Sequence, residues 1–455
     1  MEPESLLQRL RDRIDEIAEK SPARLALLVF ASIITVVTAL LSLPIATASG
    51  ERAPFADALF TATSAVCVTG LVTVDTAVYW SFFGQSVILV GIAIGGLGVM
   101  TIASILALAV SRHIGLTQRR LTATETKTKR GQVGALGRTV IATSVAVEGI
   151  LALVLIPRFL TLGEPFGAAV WHGVFMSLSI FNNAGFVVLE EGLVPYIGDW
   201  WMGLPIVIGT FLGAIGFPVL LNIRHAWRTP RRWTLHTKLT LTTYTALSAG
   251  TFVLLPIFEW NNPRTFGSLS LDEKILAALV NSVNGRSSGL STVPISDMRE
   301  ATWFLQDALM FVGGGVASTG GGIKVTTLAV LVLAIIAEAR GDRDIEVFRR
   351  RIPPDTVRLA VAVAFIGSSL VGLSTLALLE ITGLRLDVIL FEVISAFATV
   401  GLSTGITPHL PDPAKYLLVA LMFAGRTGTM TVAAALALRS SRRVIRMPEE
   451  RPSIG

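Results

Sequence analysis

The chain has 455 residues, 52% of them hydrophobic and only 15% charged, with a mean hydropathy of +0.66. Soluble domains carry about 25% charged residues, so this composition excludes an ordinary soluble enzyme and describes a polytopic membrane protein. The net charge of +6 follows membrane topology rather than a nucleic-acid surface, and the single cysteine, Cys67, excludes an intrachain disulfide framework.

Residues 1–24 read as a short amphipathic cytosolic helix, with Leu6, Leu7, Leu10, Ile14 and Ile17 at helical spacing. The segment is polar and mixed in charge, and no small-residue cleavage site follows, so no cleaved signal peptide is expected. Leu25 to Leu43 is the first apolar run near the length of about 20 residues that a bilayer core requires, and Pro44 ends it. Phe55 to Val66 is too short to span and leads into Val66-Cys67-Val68-Thr69-Gly70-Leu71. A half-length helix followed by a glycine loop predicts a re-entrant hairpin. Such backbone survives at membrane depth only inside protein or along a water-filled path. A full span over 82–110 follows.

The same order recurs three times. The second copy uses 139–160, 166–181 and 200–222, the third 239–257, 271–284 and 303–337, and the fourth 359–382, 386–397 and 415–438. Their glycine segments are Asn182-Asn183-Ala184-Gly185-Phe186, Arg286-Ser287-Ser288-Gly289-Leu290 and Ala398-Thr399-Val400-Gly401-Leu402. Gly70, Gly185, Gly289 and Gly401 lie 115, 104 and 112 residues apart, a near-constant period that marks a fourfold internal repeat. The predicted fold is an all-α polytopic membrane protein. Four repeats of span, re-entrant loop and span place eight transmembrane helices around a central pore. Repeat 1 covers 25–110, repeat 2 139–222, repeat 3 239–337 and repeat 4 359–438.

Between the repeats lie basic loops at 111–138 and 223–238, a loop at 338–358 and a tail at 439–455. With residues 1–24 they hold seven, five, six, five and five Lys/Arg, 28 of the 38 in the chain. Lys/Arg gather in cytoplasmic loops, so both termini are expected inside and the glycine loops enter from outside.

The second long helix of each copy carries small residues: Gly95-Gly96-Leu97-Gly98, Gly213-Ala214-Ile215-Gly216, Gly313-Gly314-Gly315-Val316 and Gly425-Arg426-Thr427-Gly428. Small residues let helices approach closely in lipid, as at Gly91-xxx-Gly95 and Gly209-xxx-Gly213. That packing role competes with a shared pore-lining role, which the common register favours. The third copy continues Val316-Ala317-Ser318-Thr319-Gly320-Gly321-Gly322-Ile323-Lys324. Each glycine costs a helix about 1 kcal/mol against alanine, so the helix is expected to break into an intramembrane loop over 313–324. The run Gly315 to Gly320 begins like a nucleotide-binding P-loop, but Gly321 stands where lysine is required and no strand precedes it.

Rings of backbone carbonyls can replace the water of a dehydrated K⁺ while binding weakly enough for exit. Aiming carbonyls inward needs backbone conformations that glycine adopts without penalty. The half-helices would aim their partially negative C-terminal ends at the cation. The four loops are therefore predicted to meet on one axis as a K⁺ selectivity filter. Its residues are Val68, Thr69 and Gly70; Asn183, Ala184 and Gly185; Ser287, Ser288 and Gly289; and Thr399, Val400 and Gly401.

The segment Thr61 to Leu71, Phe181-Asn182-Asn183-Ala184-Gly185-Phe186, Ser318-Thr319-Gly320-Gly321-Gly322-Ile323-Lys324 and Gly425-Arg426-Thr427-Gly428 resemble the Trk/Ktr/HKT superfamily of cation transporters. The eight-span layout with a short N-terminus looks most like its KtrB membrane subunits. The resemblance covers essentially the whole chain after about residue 22. It implies K⁺ uptake across a bacterial-type plasma membrane by a homodimer with one pore per protomer. It also implies a cytosolic KtrA/TrkA-like ring of regulatory subunits that bind ATP or ADP, with no cofactor in this chain. A serine in place of the first filter glycine goes with Na⁺ permeation in that superfamily, so Gly70 favours K⁺, with Na⁺ the other candidate ion. The third loop has Arg286-Ser287-Ser288-Gly289 where Arg-Thr-Ala-Gly is commoner. By the same resemblance Gly313, Gly314, Gly315, Val316, Ala317, Ser318, Thr319, Gly320, Gly321, Gly322 and Lys324 form a gate under the filter, and Arg426 faces it.

Lys324, Arg426 and Glu148 are the ionisable residues best placed inside spans, where insertion costs a few kcal/mol unless they are paired or hydrated. Arg426 would put a positive charge on the cation's path. The plainer alternative has both cations satisfied by loop carbonyls. Glu148 either pairs with a neighbouring span or sits near a cation site. Arg286 is expected to brace the loops, and Cys67 to pack behind the filter. The five histidines show no metal-ligand spacing. A Na⁺- or H⁺-coupled secondary transporter is the alternative function; it expects a twofold pattern and paired buried acids, whereas this sequence offers a fourfold pattern and almost no buried acids. An intramembrane enzyme would need a nucleophile and base at depth, and none is evident.

Overall fold

The computed structural model describes residues 22–114 and 128–428. Most of the expected helix at 1–24, the centre of the loop 111–138, the second half of the last span and the tail 439–455 lie outside the described residues. Helices of eight or more residues are, in chain order, α1 (Pro22–Leu41), α2 (Phe55–Val66), α3 (Phe82–Ile114), α4 (Thr128–Thr161), α5 (Phe166–Asn182), α6 (Trp200–Ile215) and α7 (Phe217–Ala226). They continue with α8 (Leu235–Glu259), α9 (Leu271–Asn284), α10 (Glu300–Phe311), α11 (Val325–Arg340), α12 (Pro354–Thr382), α13 (Leu386–Ala398) and α14 (Asp412–Phe423).

Four of these are the half-helices. Twelve residues of α2 rise only about 18 Å, against a hydrocarbon core of about 30 Å. Ten of the twelve residues of α2 and nine of the thirteen of α13, including all of its last eight, are buried, so they lie inside the protein rather than against lipid. Pro54 and Pro165 precede α2 and α5, and a Ser270/Glu273 capping box starts α9. The outer helices show the opposite face. Leu153 and Phe365 are more than 70% exposed, and Val36, Ile150, Ile257 and Leu376 are also exposed. An apolar surface of that extent fits a lipid environment. Among the described residues, three helices can cross a membrane by length and composition, Gly137–Thr161 within α4, α8 and α12, or four if the bent pair α6 and α7 is one span.

Two expectations need correction. Residues 200–222 do not form one straight span, because α6 and α7 meet at 98°. Gly216 sits between them at φ +91° and Pro218 follows. Pro218 has no N–H for the Ala214 carbonyl, and the Phe217 N–H goes instead to Ala317 O at 3.1 Å. The second correction is to the all-α reading. Within 338–358, β1 (Ile345–Val347) pairs antiparallel with β2 (Arg350–Ile352) around a turn in which Phe348 and Arg349 both have positive φ. In the third copy the helix is interrupted between α10 and α11, where Val312 and Ile323 form a parallel bridge and the residues between them loop out.

The first and fourth copies are tied by a buried ion pair. Lys415 Nζ, in the first turn of α14, lies 2.8 Å from Asp57 Oδ1 in the first turn of α2, and both side chains are about nine-tenths buried. Removing one partner of a buried pair strands the other and costs about 3–5 kcal/mol. Lys415→Met should lower the thermal unfolding midpoint of the detergent-purified protein markedly, and Asp57→Asn in the same chain should recover most of the loss. An unchanged midpoint in the single variant would contradict this closure.

Candidate ion-conduction site

Each half-helix ends three to five residues before its glycine, so four helix C-termini converge on one small region. There the four glycines lie against one another in cyclic order. A Cβ on Gly70 would stand 2.6 Å from Ala184 O, on Gly185 2.6 Å from Ser288 O, on Gly289 2.4 Å from Val400 O, and on Gly401 2.2 Å from Thr69 O. Each glycine therefore packs on the carbonyl just before the next one, and the fourth closes on the first. All four have positive φ, at 91°, 72°, 66° and 98°. Both the backbone conformation and the space exclude a side chain.

Strain gathers at the same place. Val68, Asn183 and Thr399, each two residues before its glycine, take φ of 55°, 56° and 48°. Non-glycine residues held there cost about 1–3 kcal/mol each and persist only where their surroundings fix them. Part of the fixing comes from serines six residues before the glycine. Thr69, Ala184 and Val400 donate their N–H groups to the carbonyls of Ser64, Ser179 and Ser395 at 2.7, 2.8 and 2.9 Å. The N–H groups of Gly70 and Gly401 go to the hydroxyls of Ser64 and Ser395, each at 3.1 Å. The third copy has Val283 at that position and uses Asn284, whose carbonyl takes the N–H groups of Ser287, Ser288 and Gly289. These serines escaped the sequence reading, although their offset repeats in three copies.

The glycines of the second motif pack. A Cβ on Gly95, Gly213 or Gly425 would run into the carbonyl of Val66, Phe181 or Phe397. Each of those carbonyls sits four residues before the filter-position glycine. This close approach, rather than a pore-lining surface, accounts for their common register.

The loop 313–322 lies against the residues that precede three of the glycines. Gly320 faces Ser287, Gly321 faces Thr399 and Gly322 faces Ala398. Its other side rests on the broken end of α6. Gly315 N–H donates to Ala214 O at 2.8 Å, and Thr319 N–H to Gly213 O at 3.2 Å. The break at Gly216 frees those carbonyls for the loop. Lys324 Nζ donates to Gly320 O at 2.6 Å. Arg426 lies in a π-helical turn, Ala424–Gly428, and its Nη1 donates to Thr319 O. The Nε and Nη2 of Arg426 are buried without a partner among the described residues.

Glu148 accepts from Asn182 Nδ2 at 2.8 Å, at the end of α5. Arg286 is fully buried; its Nη2 donates to Tyr244 O at 3.1 Å and Ser248 Oγ at 2.6 Å, and its guanidinium stacks 3.9 Å above the Tyr244 ring. Cys67 is fully buried at the C-terminus of α2. Among the described residues no three His, Cys, Asp or Glu are grouped to hold a metal, and His172 pairs with Glu164 at 2.8 Å.

Buried acids are commoner than the sequence suggested. Glu392 Oε1 accepts from Ser403 Oγ at 2.5 Å and Thr404 N–H at 3.0 Å, and its Oε2 from Thr407 Oγ1 at 2.9 Å. Glu259 accepts from Asn262, Thr265, Arg299 and Thr302. Both acids bind the chain just outside their own copies of the ring and hold it in place. They were missed because Glu259 ends its apolar run and Glu392 lies within a half-helix rather than a full span, with partners several to tens of residues away.

Four half-helices aimed at one ring of glycines, inside an apolar helical shell, define a membrane cation-transport protein. The chain belongs to the TrkH family of cation transport proteins, which matches residues 20–444. It is 36% identical to Ktr system potassium uptake protein B of Bacillus subtilis over 96% of this chain and 98% of that one. It is 34% identical to the potassium/sodium uptake protein NtpJ of Enterococcus hirae over 98% and 99% of the two chains. The crystal structure of the potassium transporter TrkH from Vibrio parahaemolyticus shares the fold, with a TM-score of 0.65 at 19% identity over 89% of this chain and 83% of that one.

The serine braces can be tested directly. A buried N–H left unpaired costs about 1–3 kcal/mol. The Ser64→Ala/Ser395→Ala double variant should unfold at a clearly lower temperature than the parent, and an identical midpoint would contradict the bracing role.

Proposed function

We propose that this chain is a gated K⁺ uptake conduit of the Trk/Ktr type in a bacterial-type plasma membrane. The observation that carries the proposal is the closed ring of Gly70, Gly185, Gly289 and Gly401, each packed on the carbonyl before its neighbour. The backbone oxygens of Val68, Thr69 and Gly70, with their counterparts at 183–185, 287–289 and 399–401, would replace the hydration shell of a K⁺. The half-helix C-termini add negative potential at the same point. Relatives named for potassium uptake, and for potassium and sodium uptake, support K⁺ as the main cargo and Na⁺ as a second ion.

The four repeats then supply eight spans, with α6 and α7 as a bent pair, both termini cytosolic and the glycine loops entered from outside. The loop 313–324 is the gate, and Arg426 holds it across the path by its bond to Thr319 O. A homodimer with a cytosolic nucleotide-binding ring, regulated by ATP and ADP, completes the assembly; a relative named as part of a Ktr system supports such partners.

Flux of Rb⁺ against Na⁺ into proteoliposomes tests the reading. The parent should favour Rb⁺ without an imposed Na⁺ or H⁺ gradient, and dependence on either gradient would favour coupled transport. Arg426→Ala and deletion within 316–321 should each raise initial Rb⁺ uptake on the order of tenfold, equivalent to about 1.4 kcal/mol off the barrier. Unchanged rates in both would refute the gate.

A further inference from the structure

The position two residues before each ring glycine holds Val68, Asn183, Ser287 or Thr399, four different side chains at one repeated place. Three of them touch the intramembrane loop or one another. Asn183 is fully buried, and its amide bonds in two directions. Its Nδ2 donates to Thr319 Oγ1 at 2.5 Å, and its Oδ1 accepts from Ser287 Oγ at 3.0 Å. The backbone of Thr319 in turn takes the Arg426 guanidinium. One side chain thus joins the second glycine loop, the third glycine loop and the centre of the intramembrane loop. Space for this junction comes from Gly213, where a Cβ would stand 2.5 Å from Asn183 Nδ2 and 2.9 Å from Thr319 Oγ1.

We infer that Asn183 is a positioning residue that couples the intramembrane loop to the glycine ring, so that ion discrimination depends on where the loop sits. This rests on the gate reading above. An amide suits the task because it presents a donor and an acceptor at opposite ends without charge. Asparagine also tolerates the left-handed backbone found here at φ 56° better than most residues. Without the Thr319 hydroxyl, Nδ2 keeps only Phe181 O at 3.3 Å and Thr210 O at 3.4 Å, both at the edge of bonding distance. The amide is then free to turn and release Ser287. The carbonyl of the adjacent Ser288 is the one packed on Gly185, so loosening Ser287 disturbs the ring itself. A polar network in a low-dielectric interior makes such a loss felt.

The test is a double-variant cycle read as the Rb⁺/Na⁺ flux ratio in proteoliposomes. Thr319→Val keeps the side-chain shape and removes the hydroxyl. It should lower the ratio by about fivefold, the effect of one neutral hydrogen bond. Thr319→Ser should restore most of that loss. Asn183→Ala should also lower the ratio, and adding Thr319→Val to it should cause little further change. A Thr319→Val protein with altered uptake rate but an unmoved ratio would overturn the coupling, as would additive effects in the double variant. The Thr319 pair decides the question alone if Asn183→Ala fails to fold. Failure of the gate reading is separable: it shows as an Arg426→Ala protein with the parent's uptake rate, whatever the ratio does.

Discussion

The structure depends on one steric fact repeated four times: the Cα of a glycine sits against the carbonyl oxygen that precedes the next glycine. No other residue fits, since a Cβ at any of the four would fall 2.2–2.6 Å from that oxygen. Bringing four carbonyl dipoles together in a buried place is unfavourable without compensation. The architecture accordingly surrounds the ring with restraints. Half-helices fix the approach of each loop, serine braces tie up N–H groups, and strained residues before the glycines are held where a free chain would relax.

The four copies share this plan but not its details, and the differences fall where other parts attach. The first and fourth copies match most closely, down to the Ser64 and Ser395 hydroxyls, and are joined by Asp57 and Lys415. The third copy gives up the serine, gains Arg286 braced on Tyr244, and opens its second helix into the loop 313–322. The second copy accommodates that loop. Its helix breaks at Gly216, and the carbonyls released there accept the loop's N–H groups. The two interruptions interlock, and neither is intelligible alone.

Much of this was legible in the sequence because it rests on local signals that recur. The half-helices predicted over 55–66, 166–181, 271–284 and 386–397 lie within one residue of α2, α5, α9 and α13, since prolines, caps and glycines bound them. The interruption at 313–324 was legible because Gly313 to Gly315 and then six small residues in a row, Ala317 to Gly322, cannot sustain a helix. The break after Ile215 was not, although Gly216 and Pro218 mark it, because a single glycine before a proline inside an apolar run also fits a mild kink. The roles of Asp57 with Lys415, and of Glu259 and Glu392, were hidden by distance: a charge reads as exposed until its partner, up to 358 residues away, is known. The β1–β2 hairpin was masked by arginines that made the segment read only as a topology signal.

The central claim is that a dehydrated monovalent cation occupies the axis of the glycine ring. Anomalous scattering from crystals of the protein grown in Rb⁺ tests it most directly. The account predicts an anomalous peak enclosed by the carbonyls of Thr69, Ala184, Ser288 and Val400, lost when Rb⁺ is replaced by a large organic cation. A ring with no Rb⁺ peak, in crystals where Rb⁺ is bound elsewhere in the membrane region, would contradict it.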